Sequence, residues 1–145
     1  MPELNTVFLE SLLGYNARRA YLTILSVFFD RMAIHGLRPV DFSLLCLIHH
    51  NPGITSRRLS EALSIQPPNL VGKIADLETK GLISRTVQTA DRRALGLTLT
   101  ENGRVLVCRA EITAADLEQD ASAQLSSNER DTLISLLKKV YLPAE

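Results

Sequence analysis

The stretch TSRRLSEALSIQPPNLVGKIADLETKG, residues 55–81, decides the fold of this 145-residue chain. Thr55 is a residue type that caps helix N-termini. The short helix that it begins carries three apolar residues on one face, Leu59, Ala62 and Leu63. After a tight connection at residues 64–65, Pro67 and Pro68 open a second helix, because proline is tolerated in a first helical turn. The inward positions of this second helix are Leu70, Ile74 and Leu77. Two short helices joined in this way are the pattern of a helix-turn-helix motif.

Two strand-like runs follow the motif, LISRTVQ (82–88) and ALGLTLT (94–100), and both alternate apolar and polar residues. The connection between them contains Asp91, Arg92 and Arg93. The sequence therefore predicts a charged β-hairpin that carries arginines at its tip.

The segments on either side are predicted to be helical. Residues 4–33 read as one long helix, with apolar residues in steps of three and four: Phe8, Leu12, Tyr15, Tyr21, Leu25, Phe28 and Met32. A second apolar set widens this stripe, which predicts burial against more than the helix's own domain. Gly36 is expected to end the helix.

Three further helices complete the predicted order. Pro39 suits the first position of a helix over residues 39–51, and Thr100 caps a helix from 101 to about 123. Ser126 with Glu129 three residues later is a capping-box pattern for the last helix. The order α-α-α-α-β-β-α-α indicates a mainly α fold with a small β-hairpin wing, a winged helix-turn-helix.

Composition narrows the class of protein. Hydrophobic residues make up 46% and charged residues 22% of the chain, which is typical of a folded soluble protein. The apolar stretch at residues 20–29 is too short to span a bilayer, and the N-terminus lacks the basic segment of a secretory signal. Two cysteines make no disulfide framework. We therefore expect a cytoplasmic protein without a membrane partner.

The charges are unevenly distributed. Sixteen Lys+Arg balance sixteen Asp+Glu over the whole chain. Residues 53–93, however, contain seven basic and four acidic residues, so a positive excess falls on the helix-turn-helix and the hairpin. A local excess on elements that would meet phosphates favours nucleic acid as the partner.

Five segments together resemble a known family: PVDFSLL (39–45), LSEAL (59–63), IADLETKGLI (74–83), DRR (91–93) and LTENG (99–103). With them the chain resembles a bacterial MarR-type transcriptional regulator over nearly its whole length. The resemblance implies an intertwined helical homodimer that presents two winged helices to a pseudo-palindromic operator. It divides the chain into an N-terminal dimerisation helix (1–36), a winged helix-turn-helix DNA-binding domain (37–100) and C-terminal dimerisation helices (101–145).

Such a regulator would insert the N-terminal end of its second motif helix into the major groove. Gln66 and Asn69 can pair with adenine edges, and Lys73 can reach a guanine or a phosphate. The alternative for Gln66 and Asn69 is that they only cap the helix. Gly72, on the outward side, would let the backbone approach DNA closely.

Five charged residues are candidates for contacts beside that helix. Arg57 and Arg58 would contact phosphates, and the alternative is a solvated charge pair. Arg92 and Arg93 would reach a minor groove, and Asp91 would orient one of them. Which of the two arginines enters the groove is not decided by the sequence.

The resemblance also implies a small-molecule switch, in which effectors bind between the dimerisation helices and the winged helix. An anionic or aromatic ligand, such as an aromatic acid or its thioester, needs a basic partner in an apolar cleft. Arg18 and Arg19, with Tyr15 one turn before, are the candidates, and His49 or His50 could add a hydrogen bond. The alternative is that both arginines are ordinary surface or interface charges.

Other switches and classes are less favoured. His49 and His50 point about 100° apart on a helix and form no shared metal site by themselves, and Cys46 in an apolar run indicates an inert buried thiol. The chain has none of the common catalytic motifs. We therefore expect no enzyme, metal or cofactor, but a repressor released from its operator by a ligand. The alternative is a winged-helix protein-interaction module without operator binding.

Overall fold

The computed structural model describes residues 2–87 and 95–145 of the chain. Its helices are α1 (Val7–Glu10), α2 (Leu13–Met32), α3 (Pro39–His50), α4 (Ser56–Leu63), α5 (Pro67–Thr79), α6 (Glu101–Ala121) and α7 (Ser127–Tyr141). Its strands are β1 (Ile54–Thr55), β2 (Ile83–Val87) and β3 (Leu95–Leu99). The predicted mainly α fold with a small hairpin is confirmed. Within the described ranges, no helix combines the length and low charge needed to cross a bilayer.

The chain divides into two compact units. One comprises residues 28–114, and the other comprises residues 1–27 together with 115–145. The core of the first unit is formed by residues that are at most 8% exposed, among them Phe28, Met32, Leu44, Leu45, Ile48, Leu59, Leu70, Ile74, Leu77, Leu97 and Val107. Leu70, Ile74 and Leu77 are the three inward positions predicted for the second motif helix.

The sheet of the first unit is antiparallel, with β3 between β1 and β2. In β2 and β3, Ile83 lies opposite Leu99 and Arg85 lies opposite Leu97. The hairpin pairing was predicted from alternation, but β1 was not. This two-residue strand exists only because Ile54 pairs with Leu97, some forty residues further along the chain.

The prediction of one helix over residues 4–33 is wrong, because α1 ends at Glu10 and α2 begins at Leu13. Polar side chains satisfy the backbone at this break. The Ser11 hydroxyl donates to the Phe8 carbonyl (2.6 Å), and the Asn16 amide donates to the carbonyls of Glu10 (2.8 Å) and Leu12 (2.7 Å). Such local bonds compete with the helical ladder. As predicted, Gly36 is a stop signal: it ends the short turn that follows α2, and it adopts the left-handed conformation.

The inward face of α4 also differs from the prediction. Leu59 is buried, but Ala62 is exposed and Ser60 is buried. Ser60 is tolerated inside because its hydroxyl donates a hydrogen bond to the carbonyl of Ile65. The interior of this helix therefore includes a satisfied polar group that hydrophobic periodicity does not indicate.

Candidate nucleic-acid interface

The turn between α4 and α5 holds the two helices at a fixed angle. Ser64 adopts a left-handed conformation with φ of 51°, and the Ile65 amide donates to the Ser60 carbonyl (3.1 Å). With the Ser60 hydroxyl bonded to the carbonyl of Ile65, both backbone groups of Ile65 are tied to the preceding helix. The start of α5 is thereby positioned by α4.

The first turn of α5 presents its polar side chains outward. Pro67 is the first residue of the helix, and Gln66 occupies the N-cap position without a capping hydrogen bond from its side chain. The structure therefore does not show the side-chain hydrogen bond that a purely capping role of Gln66 would require. Gln66 and Asn69 are exposed and Lys73 is half-buried, so two amide side chains are accessible at the start of the helix.

The two arginines predicted to contact phosphates lie at the start of α4. The Thr55 hydroxyl accepts a hydrogen bond from the Arg58 amide (3.4 Å), which caps the helix as predicted. Both arginine side chains are exposed, and Arg57 Nε lies 3.1 Å from a carboxylate oxygen of Glu61 one turn later. This pair is 88% and 63% exposed, and exposed pairs contribute only about 0–1 kcal/mol. The guanidinium of Arg57 can therefore leave Glu61 and bind a phosphate with little loss of free energy.

The wing is described up to Val87 and again from Leu95. Asp91, Arg92 and Arg93, the predicted hairpin tip, lie outside the described residues. At the base of the wing, Arg85 forms an ion pair of 2.8 Å with Glu78 of α5. This pair connects β2 to the helix that carries Gln66 and Asn69. The sequence did not predict this pair, because Glu78 and Arg85 lie on different elements that meet only in the folded chain.

The predicted ligand residues fall in different units. Tyr15 is half-buried and Arg18 and Arg19 are exposed on α2, in the unit formed by the two chain ends. Arg19 lines a groove of about 420 Å³ together with Leu22, Thr23, Ser26 and Val27. This groove provides an arginine beside apolar and hydroxyl groups, a combination suited to a small anion with an apolar body.

His49 lies in the other unit and lines a cleft of about 210 Å³. The same cleft is lined by Arg104, whose guanidinium donates hydrogen bonds of 3.1 and 2.5 Å to the Glu101 carboxylate. These bonds hold the pKa of Glu101 below its usual value and raise that of Arg104. The ion pair beside His49 was also missed from the sequence. An i,i+3 spacing of opposite charges is its only local signal.

Cys46 is half-buried rather than fully buried. Burial, and then the neighbouring carboxylate of Glu111, raises the pKa of the Cys46 thiol to about 12. The thiol therefore keeps its proton at neutral pH and lacks the thiolate that reacts with oxidants.

Comparisons with known proteins agree with this arrangement. The model of the MarR family matches residues 37–95. A Thauera aromatica protein named for transcriptional regulation of the hcr operon is 35% identical over 130 residues, which span 89% of this chain and 78% of that protein. The repressor CouR bound to a 23-mer DNA duplex is 36% identical, covers 96% of this chain and 99% of its own, and superposes with a TM-score of 0.89.

A second structure of a CouR repressor contains a small molecule. It is bound to p-coumaroyl-CoA, is 34% identical, covers 98% of this chain and all of its own, and has a TM-score of 0.86. Both the family model and relatives above 30% identity over most of the chain therefore agree with the helix-turn-helix and hairpin described above. This chain belongs to the MarR family of transcriptional regulators.

Proposed function

We propose that this protein is a homodimeric repressor that binds a pseudo-palindromic operator and is released by a small aromatic acid or its thioester. The observation that carries the proposal is the outward first turn of α5, where Gln66 and Asn69 are exposed at a helix end fixed by α4. Helix-turn-helix proteins read bases with this part of the second helix. The similarity to a repressor bound to a DNA duplex supports the same use here.

The proposed contacts divide into two kinds. Gln66 and Asn69 read adenine edges, and Lys73 reaches a guanine or a phosphate. Arg57 and Arg58 contact the backbone, where they position the protein without reading sequence. In the wing, Arg92 or Arg93 enters a minor groove and Asp91 orients one of them.

The terminal segments, residues 1–36 and 101–145, are proposed to form the dimer, with residues 37–100 as the DNA-binding domain. Neither α1 nor α7 contains a buried residue. In the unit formed by the chain ends, the exposed large apolar side chains include Val7, Phe8, Leu9, Leu12, Leu13, Leu133, Ile134, Leu136, Leu137 and Val140. So much exposed apolar surface marks an interaction site. A second copy of the same segments would cover it symmetrically.

The proposed effector is an aromatic acid or thioester that interacts with Tyr15, Arg18, Arg19 and His49. The groove at Arg19 offers a cation beside apolar groups, and a similar repressor is bound to p-coumaroyl-CoA. A ligand that prefers the form unable to bind DNA shifts the population away from the operator complex. The ligand acts as an effector and is not transformed, so we propose no catalytic role, and the protein acts in the cytoplasm with the operator.

Operator binding is tested by selecting genomic fragments with the purified protein at near-physiological salt and footprinting the best fragment. We expect a protected inverted repeat with half-sites about 10 bp apart. Gln66→Ala should then reduce discrimination between operator and random duplex by about 1–3 kcal/mol, whereas Arg58→Ala should weaken binding to both equally. Retention without sequence preference would contradict the repressor assignment. No retention even at low salt would favour a protein-interaction module.

Release is tested by titrating the operator complex with p-coumaroyl-CoA, free p-coumaric acid and coenzyme A. An aromatic effector should dissociate the wild-type complex, and coenzyme A alone should not. The double variant Arg18→Ala/Arg19→Ala should bind the operator normally but require more effector. Equal sensitivity of this variant and the wild type would exclude these arginines from the effector site.

A further inference from the structure

We propose that His49, His50 and Glu111 form a binding site for Zn²⁺ or a similar divalent metal ion of the late first transition series. A nitrogen of each imidazole and a carboxylate oxygen all lie within 4.8 Å of one another. His50 Nε2 is 2.7 Å from Glu111 Oε1. The three residues belong to the same compact unit, so their arrangement is fixed by one core.

The position of the two histidines at the end of α3 allows their rings to converge. Neighbouring residues on a helix project about 100° apart, yet the ring centroids of His49 and His50 are 4.8 Å apart with an interplanar angle of 66°. They are the last residues of the helix, and Asn51 has already left helical geometry. The sequence predicted no shared site for the two histidines by themselves. The third ligand comes from α6, 61 positions further along the chain.

The separations of the three ligand atoms can be compared with those of a tetrahedral site. Zn²⁺ binds imidazole nitrogen and carboxylate oxygen at about 2.0–2.2 Å, which places ligand atoms about 3.3 Å apart. The longer separations, at most 4.8 Å, would have to close by about 1.5 Å at most, and the 2.7 Å between His50 Nε2 and Glu111 Oε1 would have to open by about 0.6 Å. The His50 side chain is 63% exposed and can make this adjustment by rotating. The metal would take the place of the hydrogen that now links His50 to Glu111.

The ligand set selects the ion. Two imidazoles and one carboxylate suit Zn²⁺ and its neighbours in the transition series, whereas Mg²⁺ and Ca²⁺ prefer sets made only of oxygen. Three protein ligands leave a fourth position for water. An ion held here would link the end of α3 to α6 and stabilise the folded chain, because the unfolded chain lacks the assembled site.

The test uses the full-length protein without a histidine tag, freed of metal by a chelator, with Co²⁺ as the spectroscopic probe and Zn²⁺ as the competitor. We expect one Co²⁺ per chain with visible absorption bands of a four-coordinate site, displaced by Zn²⁺. His50→Ala and Glu111→Gln should each weaken binding at least about tenfold. The test contains no DNA, so its outcome does not depend on whether the protein is a repressor.

His35→Gln is the matched control, because it removes the chain's third imidazole, which contacts Thr113 (2.8 Å) and not Glu111. This variant should bind Co²⁺ as the wild type does. Circular dichroism identifies any variant that fails to fold. If His50→Ala fails to fold, the isosteric Glu111→Gln still tests the site. Absence of the Co²⁺ bands in the wild type, or equal affinities for all variants, would overturn the proposal and leave an ordinary hydrogen bond between His50 and Glu111.

Discussion

Gly103 lies so close to Leu82 that a Cβ atom at position 103 would be 2.0 Å from the Leu82 carbonyl oxygen. That oxygen accepts a hydrogen bond from the Thr100 amide (3.0 Å). The Thr100 hydroxyl donates to the Gly81 carbonyl (2.6 Å) and accepts from the Gly103 amide (3.1 Å). The LTENG segment therefore attaches the start of α6 to the start of β2: its threonine caps the helix, and its glycine leaves room for the backbone.

Gly103→Ala is expected to lower the free energy of unfolding by about 1–3 kcal/mol, the usual cost of overpacking. Alanine normally stabilises a helix relative to glycine by about 1 kcal/mol. A loss of stability would therefore be opposite to the usual effect of this substitution and would indicate the clash with Leu82. Urea denaturation at equal protein concentrations measures it. Gly72→Ala is the control, since an added Cβ there meets nothing within 4 Å. Stabilisation by both substitutions would contradict the close approach at Leu82.

Gly72 also tests how closely α5 approaches DNA. It lies in the interior of α5 and is exposed, between the positions of Asn69 and Lys73. Gly72→Ala should raise the free energy of unfolding by up to about 1 kcal/mol. It should nevertheless weaken operator binding, because the added methyl group stands where the backbone would meet the groove. Fluorescence anisotropy with an operator duplex measures this. Unchanged affinity in the stabilised variant would show that the helix does not approach so closely.

Glu129 makes stability depend on pH through the capping box of α7. Its carboxylate accepts a hydrogen bond from the Ser126 amide (2.9 Å), which holds the pKa of Glu129 below its usual value of 4.5. A depressed folded-state pKa stabilises the protein above pH 4.5, and this contribution is lost as the pH falls through the folded-state value. Glu129→Gln keeps the hydrogen bond without the charge. Wild type should therefore be more stable than this variant at pH 7, and the difference should narrow below pH 4.5.

The helix-turn-helix could be predicted because its signals are local. Two prolines begin α5, and a 3.6-residue period separates Leu70, Ile74 and Leu77 from the outward residues. That same period determines which side chains of α5 are available to DNA. The helix-turn-helix and the outward residues of α5 therefore follow from a window of about 27 residues.

Features that depend on distant partners could not be predicted. Strand β1 forms only when Ile54 meets Leu97, and Glu111 meets His50 only after α3 and α6 pack. The helix break after Glu10 could not be seen in the sequence, because the apolar pattern continues through it. The break is accompanied by the hydrogen bond that the Ser11 side chain donates to the backbone.

Arg57 and Glu61 provide opposite tests of the phosphate contact. Arg57→Ala should weaken binding to operator and scrambled duplex alike and reduce the salt slope of log K by about one. Glu61→Gln should strengthen binding to both, because it removes a negative charge 3.1 Å from Arg57 Nε and leaves that guanidinium free for a phosphate. Anisotropy titrations between about 50 and 200 mM salt measure both effects. Glu118→Gln, in the unit formed by the chain ends, controls for the change in net charge. If Glu61→Gln acts no more strongly than Glu118→Gln, Arg57 does not meet the DNA backbone.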